Sequence, residues 1–273
     1  MRFFDSHCHV QDPEFAGEYE AVFQRARAAG VEAFLLPAST LDDAQDALEL
    51  ALNEDCFLGI GQHPHDSKDW TADSPRRLRE LYYEAGERAE KLGRLNPVRA
   101  IGEIGLDYYY DLSPRDVQRA CLREQIELAS ELNLPVIIHE RDAFQDCYQI
   151  LKEAVEDGLL AGPAGVIHCF SGSKETAVLY HKLGFCLGFD GPITFKNAKK
   201  FAGIVRAIPL SAMLIETDSP YLSPDGFRGE QNEPAHVPLV ALKLAEYLDL
   251  SLAEVAAATY ANAEKLFAYR GGN

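Results

Sequence analysis

Eight short apolar runs, each followed by a helical pattern, constrain the fold of this chain more than any other feature. The runs are "RFFDSHCHV", "VEAFLLP", "CFLGIG", "PVRAIGE", "PVIIH", "GVIHC", "FCLGFD" and "AMLIETD". Amphipathic stretches such as "EFAGEYEAVFQRARAAG" and "SPRRLRELYYEAGERAEKLG" separate them. A third, "SPRDVQRACLREQIELASELNL", opens on Ser113-Pro114, a helix start. Strands that alternate with helices of this length predict a parallel sheet. The predicted fold class is α/β, an eight-stranded parallel β/α barrel, with residues 1–273 as a single domain. A doubly wound sheet would want a glycine-rich phosphate turn after an early strand. Instead "PASTLDD" follows the second run, and no G-x-G-x-x-G is present.

Polar residues gather at the C-terminal ends of these predicted strands. The first ends in His7 and His9, the third runs into His63 and His65, and the fourth ends in Glu103. The fifth ends in His139, the sixth in His168 and the eighth in Asp218. In a barrel those ends meet at one mouth, where active sites sit. Each residue alone has a structural explanation: a hydrogen-bonded histidine, a helix-start carboxylate, a turn aspartate. Six such coincidences on one rim are less economical than one site.

Alternation along the first strand would turn Asp5, His7 and His9 to one face and Cys8 to the other. Four histidines (His7, His9, His139, His168), Glu103 and Asp218 are too many ligands for one tetrahedral ion with an open position. They suit two divalent ions about 3.5–4 Å apart, bridged by a carboxylate and water. Mixed nitrogen and oxygen donors fit Zn, Mn, Ni or Fe and tolerate Mg.

The formal net charge of −17 would repel nucleic acid and anionic membrane surfaces in bulk. A phosphate substrate therefore needs a local positive centre, which bound divalent ions would supply. Six scattered cysteines without a C-x-x-C pair read as buried, reduced thiols of a cytoplasmic protein. No basic-then-apolar leader is visible, and no apolar run approaches ~18 residues, so no membrane partner is expected.

The segments "FDSHCH", "GQHPH", "AIGEIGLDYYY", "LPVIIHERDAF", "GVIHCFSGS", "LGFDGPITF", "LIETDSPYLSP" and "RGEQNEPAHV" resemble, in order and over almost the full length, the TatD family of metal-dependent deoxyribonucleases. That resemblance implies an amidohydrolase-type barrel, two divalent metal ions and hydrolysis of DNA phosphodiester bonds. It places His7 and His9 at the first ion, His139 and His168 at the second, and Glu103 across both. It gives Asp218 to the first ion and to the proton of the attacking water. His63 matches a residue at the substrate phosphate.

Two segments depart from the family pattern. Glu140 stands beside His139 where the family commonly has a small hydroxyl residue, and a carboxylate there would disfavour DNA unless it points away. The stretch between "HPH" and "GEIGLD" is long and carries Trp70, with scope to reshape the mouth.

His65, Arg141 and Arg228 complete the candidate substrate contacts, the arginines through planar forks suited to phosphate. Tyr108, Tyr109 and Tyr110 could stack on bases, and "CFSGS" could offer backbone N–H groups to an oxyanion. The expected activity is a deoxyribonuclease with Asp218 and Glu103 as catalytic residues and DNA or another phosphodiester as substrate. The competing expectation is a metal hydrolase of the same barrel acting on a small ester, lactone or amide. Such relatives often carry a bridging carboxylated lysine, where this chain has Glu103. A non-catalytic nucleic-acid binding module is disfavoured by the net charge, and a structural metal site by six ligands that, spread across two ions, leave room for water.

Overall fold

A computed structural model describes residues 1–160 and 162–268. The strands are β1 (Phe3–Asp5), β2 (Val31–Pro37), β3 (Phe57–Ile60), β4 (Val98–Asp107), β5 (Val136–Arg141), β6 (Gly165–Ile167), β7 (Phe185–Phe189) and β8 (Met213–Ile215). The helices between and after them are α1 (Tyr19–Ala28), α2 (Leu41–Glu54), α3 (Ser74–Lys91), α4 (Arg115–Glu131), α5 (Phe144–Glu156), α6 (Lys174–Lys182), α7 (Lys200–Val205), α8 (Val237–Leu248) and α9 (Leu252–Ala263). Strand order follows chain order from β1 to β8, as an eight-stranded β/α barrel requires. All eight apolar runs became strands, but several are shorter than their runs. β1 stops at Asp5, so His7 and His9 lie in the loop beyond it.

The helix limits follow local chemistry. Thr40 caps α2 by accepting from the Asp43 N–H, and Asp55 ends it in the left-handed region at φ 59°. Ser251 and Glu254 form a capping box at the start of α9.

By contacts the described residues divide into two compact units, 1–36 with 169–268, and 37–168. In the first, β1 pairs with β2 and β7 with β8, all parallel. The Ser6 N–H donates to the Ile215 carbonyl at 3.1 Å and joins the ends of β8 and β1. Its core includes Phe4, Phe23, Phe34, Tyr180, Phe185, Phe189 and Phe267, all fully buried. Burial of a side chain this large contributes about 1.5–3 kcal/mol.

In the second unit, β3, β4, β5 and β6 pair in that order, all parallel. β4 is buried along its whole length. Its register with β5 shifts between Ile101 and Ile104, a bulge that re-aims Glu103. Gly105 allows β4 and β5 to approach: a Cβ there would fall 1.9 Å from the His139 carbonyl oxygen. The long segment after His65 forms α3, the crossover between β3 and β4. Its Trp70 indole N–H donates to Glu124 of α4 at 2.8 Å.

Candidate metal centres

In the first unit, His7, His9 and Asp218 bring three ligand atoms together. The two Nε2 atoms are 3.1 Å apart, and Asp218 Oδ1 lies 3.5 Å from each. Around an ion with ligands at 2.1 Å, neighbouring ligands are about 3.0 Å apart in an octahedron and about 3.4 Å in a tetrahedron. The cluster has those spacings.

Main-chain bonds hold it. The Asp218 N–H donates to the His7 carbonyl at 2.9 Å, and the His9 N–H to the Ser219 carbonyl at 2.7 Å. Asp218 sits at φ 54°, a left-handed conformation that an aspartate adopts at a cost of about 1 kcal/mol. The surrounding bonds keep it there with its carboxylate on the two imidazoles. Asn232, fully buried, steadies the same loop by donating to the Thr217 and Tyr221 carbonyls at 2.8 and 2.7 Å. Sequence reasoning did not single out Asn232, although it lies in the quoted run "RGEQNEPAHV".

Asp5 shares no ligand role here. It accepts from the Thr217 N–H and hydroxyl at 2.9 and 2.6 Å and from the His7 N–H at 3.4 Å. Burial pushes its carboxyl up to about 8, although the Thr217 hydrogen bonds oppose the shift. The Cys8 thiol turns away and donates to the Leu35 carbonyl. A second grouping, Cys169, Asp190 and Asp218, lies in the same unit. Burial first, and then the Asp190 and Asp218 charges, hold the Cys169 thiol far above its ordinary range. All six cysteines are free thiols.

In the second unit, Glu103 Oε1 lies 2.9 Å from both His139 Nδ1 and His168 Nε2, and those nitrogens are 3.4 Å apart. These edges again fit one ion's ligand shell. His63 Nε2 is 3.4 Å from the same oxygen. Its Nδ1 accepts from the His65 N–H at 3.2 Å, and burial lowers its pKa to about 4, so the neutral ring carries its proton on Nε2. His63, His65 and His139 form a further grouping within this unit.

Asp107 is a second residue that sequence reasoning missed. Its Oδ2 lies 3.1 Å from His139 Nε2 and 2.8 Å from His65 Nε2. It is fully buried, which alone would raise its pKa, but bonds from His139, the Tyr110 N–H and His65 hold it well below the ordinary carboxylate value. Burial would lower the His139 pKa, yet bonds to Asp107 and Glu103 leave it raised. A carboxylate behind a histidine fixes the ring and its tautomer so that the other nitrogen faces a metal. Position 107 has the same parity as 103 on β4, and that was the available signal.

Glu140 points away from His139's cluster, and its carboxylate accepts from the Ala143 N–H at the start of α5 at 3.2 Å. The two candidate arginines both lie against aromatic rings, Arg141 over Tyr109 and Tyr110 at 4.2 and 4.7 Å and Arg228 over Phe195 at 4.5 Å. Neither makes an ion pair among the described residues. Tyr108 donates its hydroxyl to Asp146 at 2.6 Å and is held by packing, whereas Tyr109 and Tyr110 are exposed. No helix among the described residues is long and apolar enough to cross a membrane.

The sequence profile of a family described as TatD related DNase matches residues 4–268. The chain is 41% identical over 265 residues to "Uncharacterized metal-dependent hydrolase YabD" of Bacillus subtilis (strain 168), covering 97% of this chain and 98% of that protein. It is 34% identical over 270 residues to "3'-5' ssDNA/RNA exonuclease TatD" of Citrobacter rodentium (strain ICC168), with 97% of each covered. The crystal structure of YjjV, a TatD homologue from Escherichia coli K12, superposes with a TM-score of 0.88 at 33% identity, covering 98% of this chain and 99% of that one.

Proposed function

The chain belongs to the TatD-related DNase family and is a metal-dependent hydrolase with that family's β/α barrel, and from that premise we propose that it cuts phosphodiester bonds of single-stranded nucleic acid, DNA above all. The observation that carries this reading is the pair of three-donor clusters, each with the edge lengths of an ion's ligand shell. Two divalent ions are assigned, one to His7, His9 and Asp218 and one to Glu103, His139 and His168. When bound, such ions polarise phosphoryl oxygens and acidify water.

The chain's own residues do the rest. Asp218 takes a proton from the attacking water with its carboxylate and returns it to the leaving oxygen. Asp107 keeps His139 Nδ1 directed at Glu103. His63, neutral near pH 7, offers its Nε2–H as a hydrogen-bond donor to a phosphate oxygen. Arg141 and Arg228 are assigned to phosphate, the chain is read as a single hydrolase domain, and its free thiols accord with a cytoplasmic protein. Relatives named as ssDNA/RNA exonucleases support the substrate class.

The test is a metal-stripped protein reloaded with Zn, Mn, Ni or Mg and assayed on single-stranded DNA, RNA, carboxylic esters and lactones. Phosphodiester cleavage that chelator abolishes is the expected result. Turnover of esters or lactones alone would contradict the assignment.

A further inference from the structure

Asp107 leads from the Glu103 cluster to the surface. While its Oδ2 meets His139 and His65, its Oδ1 accepts from the Tyr109 and Tyr110 N–H groups at 2.9 and 2.8 Å. One buried carboxylate therefore fixes both a candidate metal ligand and the start of an aromatic loop.

The two tyrosines are 58% and 52% exposed, which is unusual for rings on so constrained a backbone. Their planes stand at 84° with centroids 5.0 Å apart, so together they form a corner. Arg141 places its guanidinium over both rings, and the His65 ring meets Tyr110 edge-on at 5.4 Å. Two of the acidic neighbours are neutralised by arginines. Asp111 is paired with Arg115 at 3.0 Å, and Asp146 with Arg119 at 3.1 Å. Arg141 has no ion pair among the described residues.

We propose that Tyr109, Tyr110 and Arg141 form a stacking subsite for an unpaired nucleobase of the strand whose phosphate is held at the Glu103 cluster. A base stacks on one ring, its edge toward the other, once the Arg141 guanidinium that lies over both rings turns out to the adjacent phosphate. Every base has a π-face, so this corner tolerates sequence. A duplex keeps those faces stacked inside and cannot use it. The subsite selects single strands and ranks a base-bearing strand above a bare phosphodiester chain. The proposal rests on the phosphodiesterase reading above, and the experiment separates the two.

Two oligonucleotides of one length are compared, one of mixed sequence and one abasic throughout. Binding is measured by fluorescence anisotropy in Ca²⁺, and hydrolysis by product release in Mn²⁺. The wild type is expected to prefer the base-bearing strand by about tenfold or more in binding, the effect of stacking one base. Tyr109→Ala/Tyr110→Ala should bring that preference to about twofold or less, and Tyr109→Phe/Tyr110→Phe should keep it, because stacking needs the ring rather than the hydroxyl. An equal affinity of the wild type for both strands, or a preference that survives the double alanine change, overturns the subsite. Hydrolysis of the abasic strand without any preference removes the subsite and leaves the phosphodiesterase reading intact. A preference in binding without hydrolysis of either strand does the reverse.

Discussion

The two ligand clusters are built from similar donors but supported in different ways. His7, His9 and Asp218 are held by main-chain bonds, with Asp5 buried behind them on Thr217 and the His7 backbone. Glu103, His139 and His168 are backed in addition by a carboxylate, Asp107, whose Oδ2 meets two imidazole rings while its Oδ1 accepts from the Tyr109 and Tyr110 N–H groups. The two supporting aspartates are also shifted in opposite directions. Burial raises Asp5 to about 8, whereas bonds from His139, the Tyr110 N–H and His65 hold Asp107 well below the ordinary carboxylate value despite burial. Main-chain bonds hold both clusters, since the Glu103 and His168 N–H groups donate to the Ala38 and Ile138 carbonyls at 3.0 Å, but only the second has an acidified carboxylate behind a ring that also reaches an exposed loop.

The largest effect should come from the one ligand given a proton to carry. Asp218→Asn keeps a ligating oxygen but cannot take a proton, so turnover should fall about 10²-fold or more while bound metal persists. A near-normal rate, measured alongside metal content, would remove Asp218 as the base.

The supporting aspartates sharpen the contrast directly. Asp107→Asn should weaken metal binding about 10- to 100-fold, as loss of a carboxylate behind a ligating histidine does. Asp5→Asn should cost far less, because its amide oxygen can still accept from the Thr217 and His7 N–H groups and only the Thr217 hydroxyl must turn to meet the new N–H. Metal titrations of both variants decide, and equal losses would erase the distinction.

Salt should have a smaller effect. With a net charge of −17, few phosphates can be neutralised by the protein surface. A slope of about −1 to −2 in log affinity against log salt is expected for a single strand, about 4- to 16-fold between 50 and 200 mM. A steeper slope, read by anisotropy, would require a basic tract that the two clusters do not provide.

The smallest effect is expected at Glu140, beside His139 but directed at α5. Glu140→Gln should lower stability by about 0.5–1 kcal/mol through the weakened bond to the Ala143 N–H, with turnover unchanged. Denaturant melts and rates on one preparation check both, and a tenfold rise in turnover would show that its charge does repel substrate.

Much of this was legible in the sequence, for identifiable reasons. Strands such as β7 and β8 announced themselves because burial on both faces requires unbroken apolar runs. The clustering of these candidate ligands was legible because strand ends collect chemistry in this fold class. Strand limits were less clear. The run through Val10 resembles strand, yet Ser6 donates both its N–H and its hydroxyl to Ile215, and β1 stops at Asp5. Asp107 and Asn232 stayed hidden because aspartate after a strand and asparagine before a proline turn are ordinary local residues. Only their long-range partners reveal their work.

Metal stoichiometry tests the two-cluster account most directly. Metal-stripped wild type, titrated with Mn²⁺ by calorimetry and checked by elemental analysis, should bind two ions per chain. His9→Ala and His139→Ala should each bind one, because each variant breaks a different cluster. A wild-type stoichiometry of one, or two ions that survive either substitution, would contradict it.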